Sequence, residues 1–270
     1  MARNVVSRGH DVLAFDVRER LLQQLVQQGG RCAKSLTEIG ASCEHVLVMV
    51  VNGEQVKAVL ADDGVLLDTI RVGIVVVHAT IALSELRRSA DIAKISGVTL
   101  IDCPVSGGAV GAHDGTLTML CGGDVRAFEQ CRDPLEAVSS NITHLGPLGA
   151  GMVGELACNL ILGVGRLAIG EAFAMARRAG LDTDTLYETL TTCTADSRQL
   201  RAFEIALLRD EYPVRTFQGI KDLSAAVDSG RAVGQAMPVM SLTRELYQLI
   251  DARAGGLSGS YEVIRFLFDT

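Results

Sequence analysis

The sequence predicts an α/β protein in which a doubly wound parallel sheet is followed by an all-helical domain. Three observations support this. Short β-branched runs alternate with helical stretches through the first half of the chain. Two of these runs, 46–51 and 74–77, are continuously apolar, as in parallel strands covered on both faces. After Gly151 the spacing of apolar residues is helical throughout. Together they predict a Rossmann-like domain over residues 1–148 and a helical domain over 149–270.

In the first half, β-branched and apolar runs predict each strand, and the stretches between them predict helices. A Gly-Gly pair at 29–30 ends the first of these helices. The predicted strands are 12–16, 31–33, 46–51, 74–77, 99–102 and 117–121, and the predicted helices are about 18–28, 54–61 and 84–95.

In the second half, a proline-free stretch predicts one helix over residues 152–179. This exceeds the usual helix length, so it is expected to run between domains or to pair with a second subunit. Gly180 is expected to end it, and Asp182 to cap the next helix. Further helices are predicted at 183–193, 197–208, 217–233 and 239–252, and a loop at 255–260.

Composition argues against several classes of protein. The net charge of −7 is opposite to the basic surface that nucleic-acid binding needs. No apolar run is expected to reach the length of a membrane span, about 18 residues or more, and the opening residues do not resemble a signal peptide, which predicts a cytoplasmic protein. The seven cysteines form no CxxC pair and are expected to be ordinary buried thiols. The five histidines have no metal-ligand spacing, so no metal site is expected.

The most specific segment reads DCPVSGGAVGA at residues 102–112, followed by GTLT at 115–118. Glycines after a strand let the backbone approach a ligand closely, and consecutive N–H groups can bind an anion. The hydroxyl of Ser106 adds a hydrogen bond to a carboxylate or hydroxyl. Ser106, Gly107 and Gly108 are therefore predicted to bind substrate; the alternative is a plain turn that ends a strand.

This segment closely resembles the substrate-binding signature of the β-hydroxyacid dehydrogenases, D-A-P-V-S-G-G-x-x-G-A-x-x-G-T-L-T. Three further blocks agree in order: GPLGAG at 146–151, EAFAMA to GLD at 171–182, and F-x-x-x-K-D-L at 217–223. The chain is identified as related to the 3-hydroxyisobutyrate dehydrogenases. The resemblance implies an NAD(P)-dependent oxidoreductase that acts on a small β-hydroxyacid or related carboxylate.

The family's dinucleotide site requires a first strand, a G-x-G-x-x-G turn and a helix whose N-terminus receives the pyrophosphate. Here the sequence opens MARNVVSRGH, which resembles the family's first helix already under way. The expectation is an N-terminally truncated domain that lacks its first strand, of about 5–6 residues. A start site assigned too late is favoured over a shortened chain, because a sheet without its central strand should fold badly.

Asp16, at the end of a predicted strand, can bind the adenosine ribose and repel a 2′-phosphate, which favours NAD. Arg18 could instead pair with that phosphate, so NADP is not excluded, and Asp16 could also be a helix N-cap. The resemblance places the rest of the cofactor groove at four residues: Val50, Val51, Asn52 and Thr80.

The family motif G-x-G-x-x-x-K-x-x-N-N carries a lysine thought to exchange a proton with the substrate oxygen. In this chain Glu155 takes the lysine's place and Asn159 that of the paired asparagine, four residues apart on one helical face. Shifting the alignment by three residues offers Cys158. Glu155 could act as an acid if burial raised its pKa; the alternative is a solvated residue in a degenerate site.

Lys221 matches the family's second lysine, and it either holds the substrate carboxylate as a point charge or pairs on a helix surface. The sequence therefore predicts catalytic roles for Glu155, Asn159 and Lys221 in a homodimeric dehydrogenase of a small hydroxy acid. Two alternatives remain open. One is an imine-reductase-like enzyme that uses Glu155, and the other is an inactive homologue kept as a binding or structural protein.

Overall fold

The computed structural model describes residues 1–61, 66–67, 73–213, 219–254 and 261–269. The chain forms two compact units, Met1–Glu155 and Leu156–Thr270. The first unit contains a sheet flanked by helices, and the second is all-helical. The fold is a Rossmann-like domain with a helical C-terminal domain, as predicted.

The first unit alternates strands and helices. Its helices are α1 (Ala2–Ser7), α2 (Glu19–Val26), α3 (Leu36–Ser42), α4 (Gly53–Leu60), α5 (Leu83–Ile95), α6 (Gly108–Asp114) and α7 (Val125–Glu136). Its strands are β1 (Leu13–Ala14), β2 (Arg31–Cys32), β3 (His45–Val48), β4 (Ile74–Val77), β5 (Thr99–Asp102), β6 (Val105–Ser106), β7 (Leu117–Gly122) and β8 (Ser139–Gly146).

Six of these strands form one sheet, in the order β3-β4-β5-β7-β6, with β8 on β7. β3, β4 and β5 are parallel, as predicted, but β7 runs antiparallel to β5 and to β6. The sheet predicted to be parallel is therefore mixed on this side. Only ten residues, 107–116, join β6 to β7. A parallel crossover needs about a dozen or more residues, so the chain returns in the opposite direction.

β1 and β2 form a separate two-stranded parallel sheet. Among the described residues, no ladder joins β1 to β3. A doubly wound order would place one strand between them, and none of the described strands lies there. Within the described residues, the strands of this unit therefore form two separate sheets, one of two strands and one of six.

The core of the first unit lies between the sheet and its helices. Val5 of α1, Ile101 of β5, Met119 of β7 and Phe128 of α7 are all nearly or fully buried in one apolar cluster. The helices α1 and α7, far apart in sequence, therefore contribute to the same cluster as β5 and β7. The four residues of β4, all apolar and buried, form the centre of the parallel part, which explains why the sequence predicts them well.

The long helix α8 (Ala150–Arg178) begins in the first unit and continues into the second, within two residues of its predicted bounds. By length and composition it could span a membrane, and it is the single such helix among the described residues. Core helices of proteins pass the same test. Met152 and Phe173 of α8 are fully buried, and 28% of its 18-residue apolar window is buried.

The second unit adds α9 (Thr183–Leu190), α10 (Arg198–Ala202), α11 (Glu204–Arg209), α12 (Gly219–Ala232), α13 (Pro238–Ala254) and α14 (Glu262–Asp269). Gly180 has φ of 76° after α8, and Asp182 accepts a hydrogen bond from the Thr185 N–H, so both predicted caps are confirmed. The single helix predicted at 197–208 is wrong, because buried Phe203 interrupts it. Residues 217–218 and the predicted loop 255–260 lie outside the described residues.

Candidate active site

The Ser-Gly-Gly turn follows β5 and connects β6 to α6. Ser106 pairs with Thr118 of β7, which fixes its backbone at the edge of the sheet. Gly107 and Gly108 have φ of 125° and 62°, a region that other residues adopt only with strain. Both glycines are exposed and Ser106 is partly exposed. The backbone of both glycines and the Ser106 side chain are therefore accessible to solvent.

Asp102, which precedes this turn, has a role that the sequence analysis missed. Its side chain is fully buried, and its carboxylate accepts hydrogen bonds from the N–H groups of Gly149 and Met152, both at 2.7 Å. Burial raises the pKa of this carboxyl, and the backbone N–H groups oppose that rise. Asp102 thus anchors the start of α8 to the end of β5.

Two glycines make this close approach possible. A side chain at Gly151, in the first turn of α8, would collide with the Leu120 carbonyl of β7. A side chain at Gly122 would meet the Asp102 carboxylate at 2.7 Å. Glycine is therefore required on both sides of the contact between α8 and the sheet.

Glu155 lies one turn into α8, on the part of the helix that Asp102 anchors. Its side chain is 5% exposed. The interpretation of Glu155 as a solvated helix residue is therefore wrong. A buried carboxyl is an expensive group to retain unless it is bonded or used in chemistry.

Asn159 and Lys221 belong to the second unit, on α8 and α12. Asn159 is partly exposed, one turn beyond Glu155. The Nζ of Lys221 lies 2.7 Å from Oδ1 of Asp222. Burial raises the pKa of Asp222, while the positive charges of Lys221 and Arg166 lower it. Lys221 is thus a partly buried cation beside the Asp222 carboxylate, and Arg166 adds a second positive charge nearby.

The predicted cofactor residues follow neighbouring parallel strands. Val50, Val51 and Asn52 come after β3, and Thr80 comes after β4, whose last residue pairs with the last residue of β3. The carboxyl ends of these strands form the edge where doubly wound sheets bind nucleotides. Asn52 is also the N-cap of α4, since its Oδ1 accepts from the Gln55 N–H at 2.9 Å.

Asp16 follows β1, and Arg18 holds its carboxylate with Nε and Nη2, each at 3.0 Å. These bonds lower the pKa of Asp16. The N-cap of α2 is Arg18, so the alternative that Asp16 caps this helix is wrong. Asp16 and Arg18 form one exposed pair, in which either charge could meet the ribose end of a dinucleotide.

Apolar side chains in contact with solvent follow β1 and β3. Phe15, after β1, is 42% exposed, and Met49 and Val51, after β3, are 55% and 47% exposed. Flat rings of a dinucleotide would cover such side chains, and Asp16 offers acceptors to ribose hydroxyls. The residues present therefore fit the ring and ribose parts of the cofactor.

Comparison with known proteins agrees with this geometry. Residues 1–146 match the family model described as the NAD binding domain of 6-phosphogluconate dehydrogenase. Residues 149–267 match the model described as NAD-binding of NADP-dependent 3-hydroxyisobutyrate dehydrogenase. A 3-hydroxyisobutyrate dehydrogenase of Pseudomonas aeruginosa is 33% identical, over 96% of this chain and 92% of that protein. The chain belongs to the 3-hydroxyisobutyrate dehydrogenase family.

Solved structures place this family member among enzymes of the same fold. The 3-hydroxyisobutyrate dehydrogenase of Mycobacterium tuberculosis, solved with L-serine, superposes with a TM-score of 0.89 at 28% identity, over 98% of this chain and 94% of that one. An imine reductase of Streptomyces aurantiacus has a TM-score of 0.64 at 18% identity, over 98% and 94% of the two chains, and shares the fold alone. Members of the family are NAD-dependent dehydrogenases, and the first unit is an NAD(P)-binding domain.

Proposed function

We propose that this chain is an NAD(P)-dependent dehydrogenase of a small β-hydroxyacid, with NAD as the favoured cofactor. The observation that carries the proposal is a buried carboxyl, Glu155, on a helix start that Asp102 ties to the strand before the Ser-Gly-Gly turn. The proposal divides the chain functionally into a cofactor domain, 1–148, and a substrate and dimerisation domain, 149–270. It assigns substrate binding to Ser106, Gly107 and Gly108, and catalysis to Glu155, Asn159 and Lys221.

In this proposal the substrate is held mainly through its carboxylate. The N–H groups of Gly107 and Gly108 and the hydroxyl of Ser106 supply hydrogen bonds. Lys221 supplies positive charge, and its pairing with Asp222 keeps the ammonium group in place. Asn159 orients the reacting hydroxyl, because its amide can both donate and accept.

A nicotinamide cofactor, when bound, would supply the hydride chemistry. Val50, Val51, Asn52, Thr80 and Asp16 would hold the cofactor. By the family motif Glu155 takes the lysine's place, so in this proposal it takes up the hydroxyl proton during oxidation and returns it during reduction. A carboxyl can do so near neutral pH when its site excludes water.

Cofactor titration tests the first part of the proposal. NADH binding to the 270-residue chain, measured by calorimetry, should be detectable at millimolar cofactor or below. The titration should weaken when Asp16→Ala removes the acceptors for the ribose. If the unaltered chain does not bind NADH, an NAD(P)-dependent activity is excluded, and the remaining alternative is an inactive homologue with a binding or structural role.

Substitution of Glu155 tests the alignment. Glu155→Lys restores the group that relatives use, so turnover of a β-hydroxyacid should rise on the order of 10²-fold or more. Glu155→Gln is the matched control, because the amide keeps the size of the side chain but cannot exchange a proton with the substrate oxygen. Equal turnover by the three proteins would show that residue 155 does not exchange the proton.

The second candidate is an imine reductase, and the buried Glu155 favours it specifically. An anionic carboxylate attracts a cationic iminium but repels a carboxylate substrate. Reduction of a cyclic imine by NADPH that is lost in Glu155→Lys, with no hydroxyacid turnover in either protein, would select this candidate.

We infer that the active form is a homodimer in the cytoplasm, where the nicotinamide pool is available. Ile161, Ala168 and Met175 recur every seven residues along α8, and all three are exposed, two of them by 68% and 69%. Val239 and Leu242 of α13 are exposed by 59% and 62%. Apolar stripes of this kind are typical of helices that pack on a second copy of the chain. The net charge of −7 gives no reason to expect nucleic acid as a partner.

A further inference from the structure

Cys103 and Cys121 lie opposite each other in the sheet. β5 and β7 are antiparallel with Asp102 opposite Gly122, so the next residue on one strand faces the previous residue on the other. Their Cα atoms are 4.1 Å apart, and the two sulfurs form a disulfide. Both side chains are fully buried. The expectation that all cysteines are ordinary thiols is therefore wrong for this pair.

The disulfide closes a loop of particular content. Its ends are 18 residues apart in sequence, and between them lie β6, the Ser-Gly-Gly turn and α6. Within the loop, Ser106 pairs with Thr118 of β7. The covalent bond therefore joins the two ends of the segment that presents Ser106, Gly107 and Gly108.

The backbone around Cys103 is held on both sides. The carbonyl oxygen of Cys103 accepts a hydrogen bond from Nδ1 of His78 at 2.6 Å, and His78 is almost fully buried. The preceding residue, Asp102, anchors α8. The Pro104 carbonyl accepts from the Leu120 N–H at 3.2 Å. The other contacts are hydrogen bonds. The disulfide is the covalent bond of this group, and a redox reaction can form or break it.

We propose that the Cys103–Cys121 disulfide is a reversible covalent lock on the loop that carries the Ser-Gly-Gly turn. The lock restricts opening of that loop in the oxidised protein, and reduction releases the restriction. The inference does not depend on the proposed enzymatic activity, because it concerns the mobility of the loop itself.

The chemistry is thiol–disulfide exchange with a low-molecular-weight disulfide such as oxidised glutathione. The thiolate of one cysteine attacks the small disulfide, forms a mixed disulfide and releases one small thiol. The thiolate of the other cysteine then displaces the second small thiol and forms the Sγ–Sγ bond. Two protein sulfurs are oxidised, two small-molecule sulfurs are reduced, and the two thiol protons end on the released thiols.

Burial determines the rate of this exchange. A sulfur with no exposed surface reacts only when the structure around it opens locally. Both locking and unlocking are therefore slow compared with exchange at Cys193, which is exposed.

Thiol counting tests whether the pair forms reversibly. After equilibration with oxidised glutathione and alkylation in denaturant, a non-reducing peptide map should link Cys103 to Cys121, while accessible thiols such as Cys193 carry glutathione or the alkyl label. After reduced glutathione in excess, all seven should be labelled. Seven labelled cysteines after both treatments, or a link between another pair, would overturn the proposal.

Hydrogen exchange tests the mechanical part. Amides of residues 104–120 should exchange on the order of tenfold more slowly in the oxidised protein than in the reduced one, while α9 should be unchanged. Cys103→Ala, which restores the residue of the family signature, should remove the difference. Cys193→Ala, an exposed matched control, should keep it. Equal exchange of 104–120 in both redox forms of the unaltered protein would refute the lock.

Discussion

Two buried polar side chains organise the strand ends next to the Ser-Gly-Gly turn. His78 follows β4 and bonds to the backbone of Cys103, and Asp102 ends β5 and bonds to the backbone of α8. Each is almost completely removed from water. Groups of this kind stabilise one arrangement strongly, because losing a partner leaves a buried polar atom unsatisfied.

His78 makes the stability of the protein depend on pH. Burial lowers the pKa of its imidazole from 6.5 to about 4. Between these values the unfolded chain binds a proton that the folded chain does not. The stabilising effect of neutral His78 is therefore complete above pH 6.5 and is lost as pH falls towards 4. The loss is about 3 kcal/mol in the free energy of unfolding.

Urea unfolding at a series of pH values measures this effect. His78→Gln keeps a hydrogen-bond donor but cannot titrate, so its free energy of unfolding should depend less on pH across this window. His113→Gln is the control, since His113 is exposed on α6. An unchanged pH dependence in His78→Gln would show that other groups cause it.

At the scale of elements, the start of α8 depends on Asp102. Asp102→Ala removes the acceptor for two backbone N–H groups and leaves them buried, which should lower the free energy of unfolding by roughly 3 kcal/mol. Asp182→Ala removes an exposed N-cap of α9 and should lower it by only about 1 kcal/mol. Chemical denaturation of both variants compares a buried cap with an exposed one. Similar losses in the two variants would contradict the anchoring role of Asp102.

Sequence periodicity predicts the elements that are uniform in pattern. β4 and β5 are predicted to the residue, because β4 is a continuous apolar run and β5 is a short β-branched and apolar run that ends at Asp102. Two other features lie beyond such patterns. The reversal of β7 depends on the short connection after β6, and the break at Phe203 depends on burial of that ring in the second unit. Neither cause is visible in the local pattern of apolar and polar residues.

The candidate site also contains residues that the sequence predicts and residues that it does not. Ser106, Gly107 and Gly108 are predicted by a motif with a backbone reason, and positive φ at both glycines confirms the turn. Asp102 and the Cys103–Cys121 pair could not be assigned from the sequence, since their roles arise from which strands lie opposite each other. A polar residue at the end of an apolar strand is the one sequence feature that marks Asp102, and it does not indicate which backbone the carboxylate binds.

At the scale of the whole molecule, the exposed stripes of α8 and α13 predict self-association. Ile161→Asp places a charge in the middle of the α8 stripe, so light scattering should show the mass of a monomer where the unaltered chain gives a dimer. Val233→Asp is a matched control, because Val233 is 60% exposed but lies beyond the end of α12. A monomer in the unaltered chain, or a dimer in Ile161→Asp, would exclude this interface.

The separate β1–β2 sheet has a consequence for where the molecule opens first. Its ladder contains two residue pairs, and Val17 beside it is 90% exposed. Few contacts mean that amides in this corner should exchange with solvent well before those of β4. A ligand that spans the ends of β1 and β3 would suppress such openings by about 2.7 kcal/mol at a hundred times its Kd. Deuterium uptake by residues 13–32 should therefore fall when a dinucleotide binds, so this measurement detects binding without an assay of turnover.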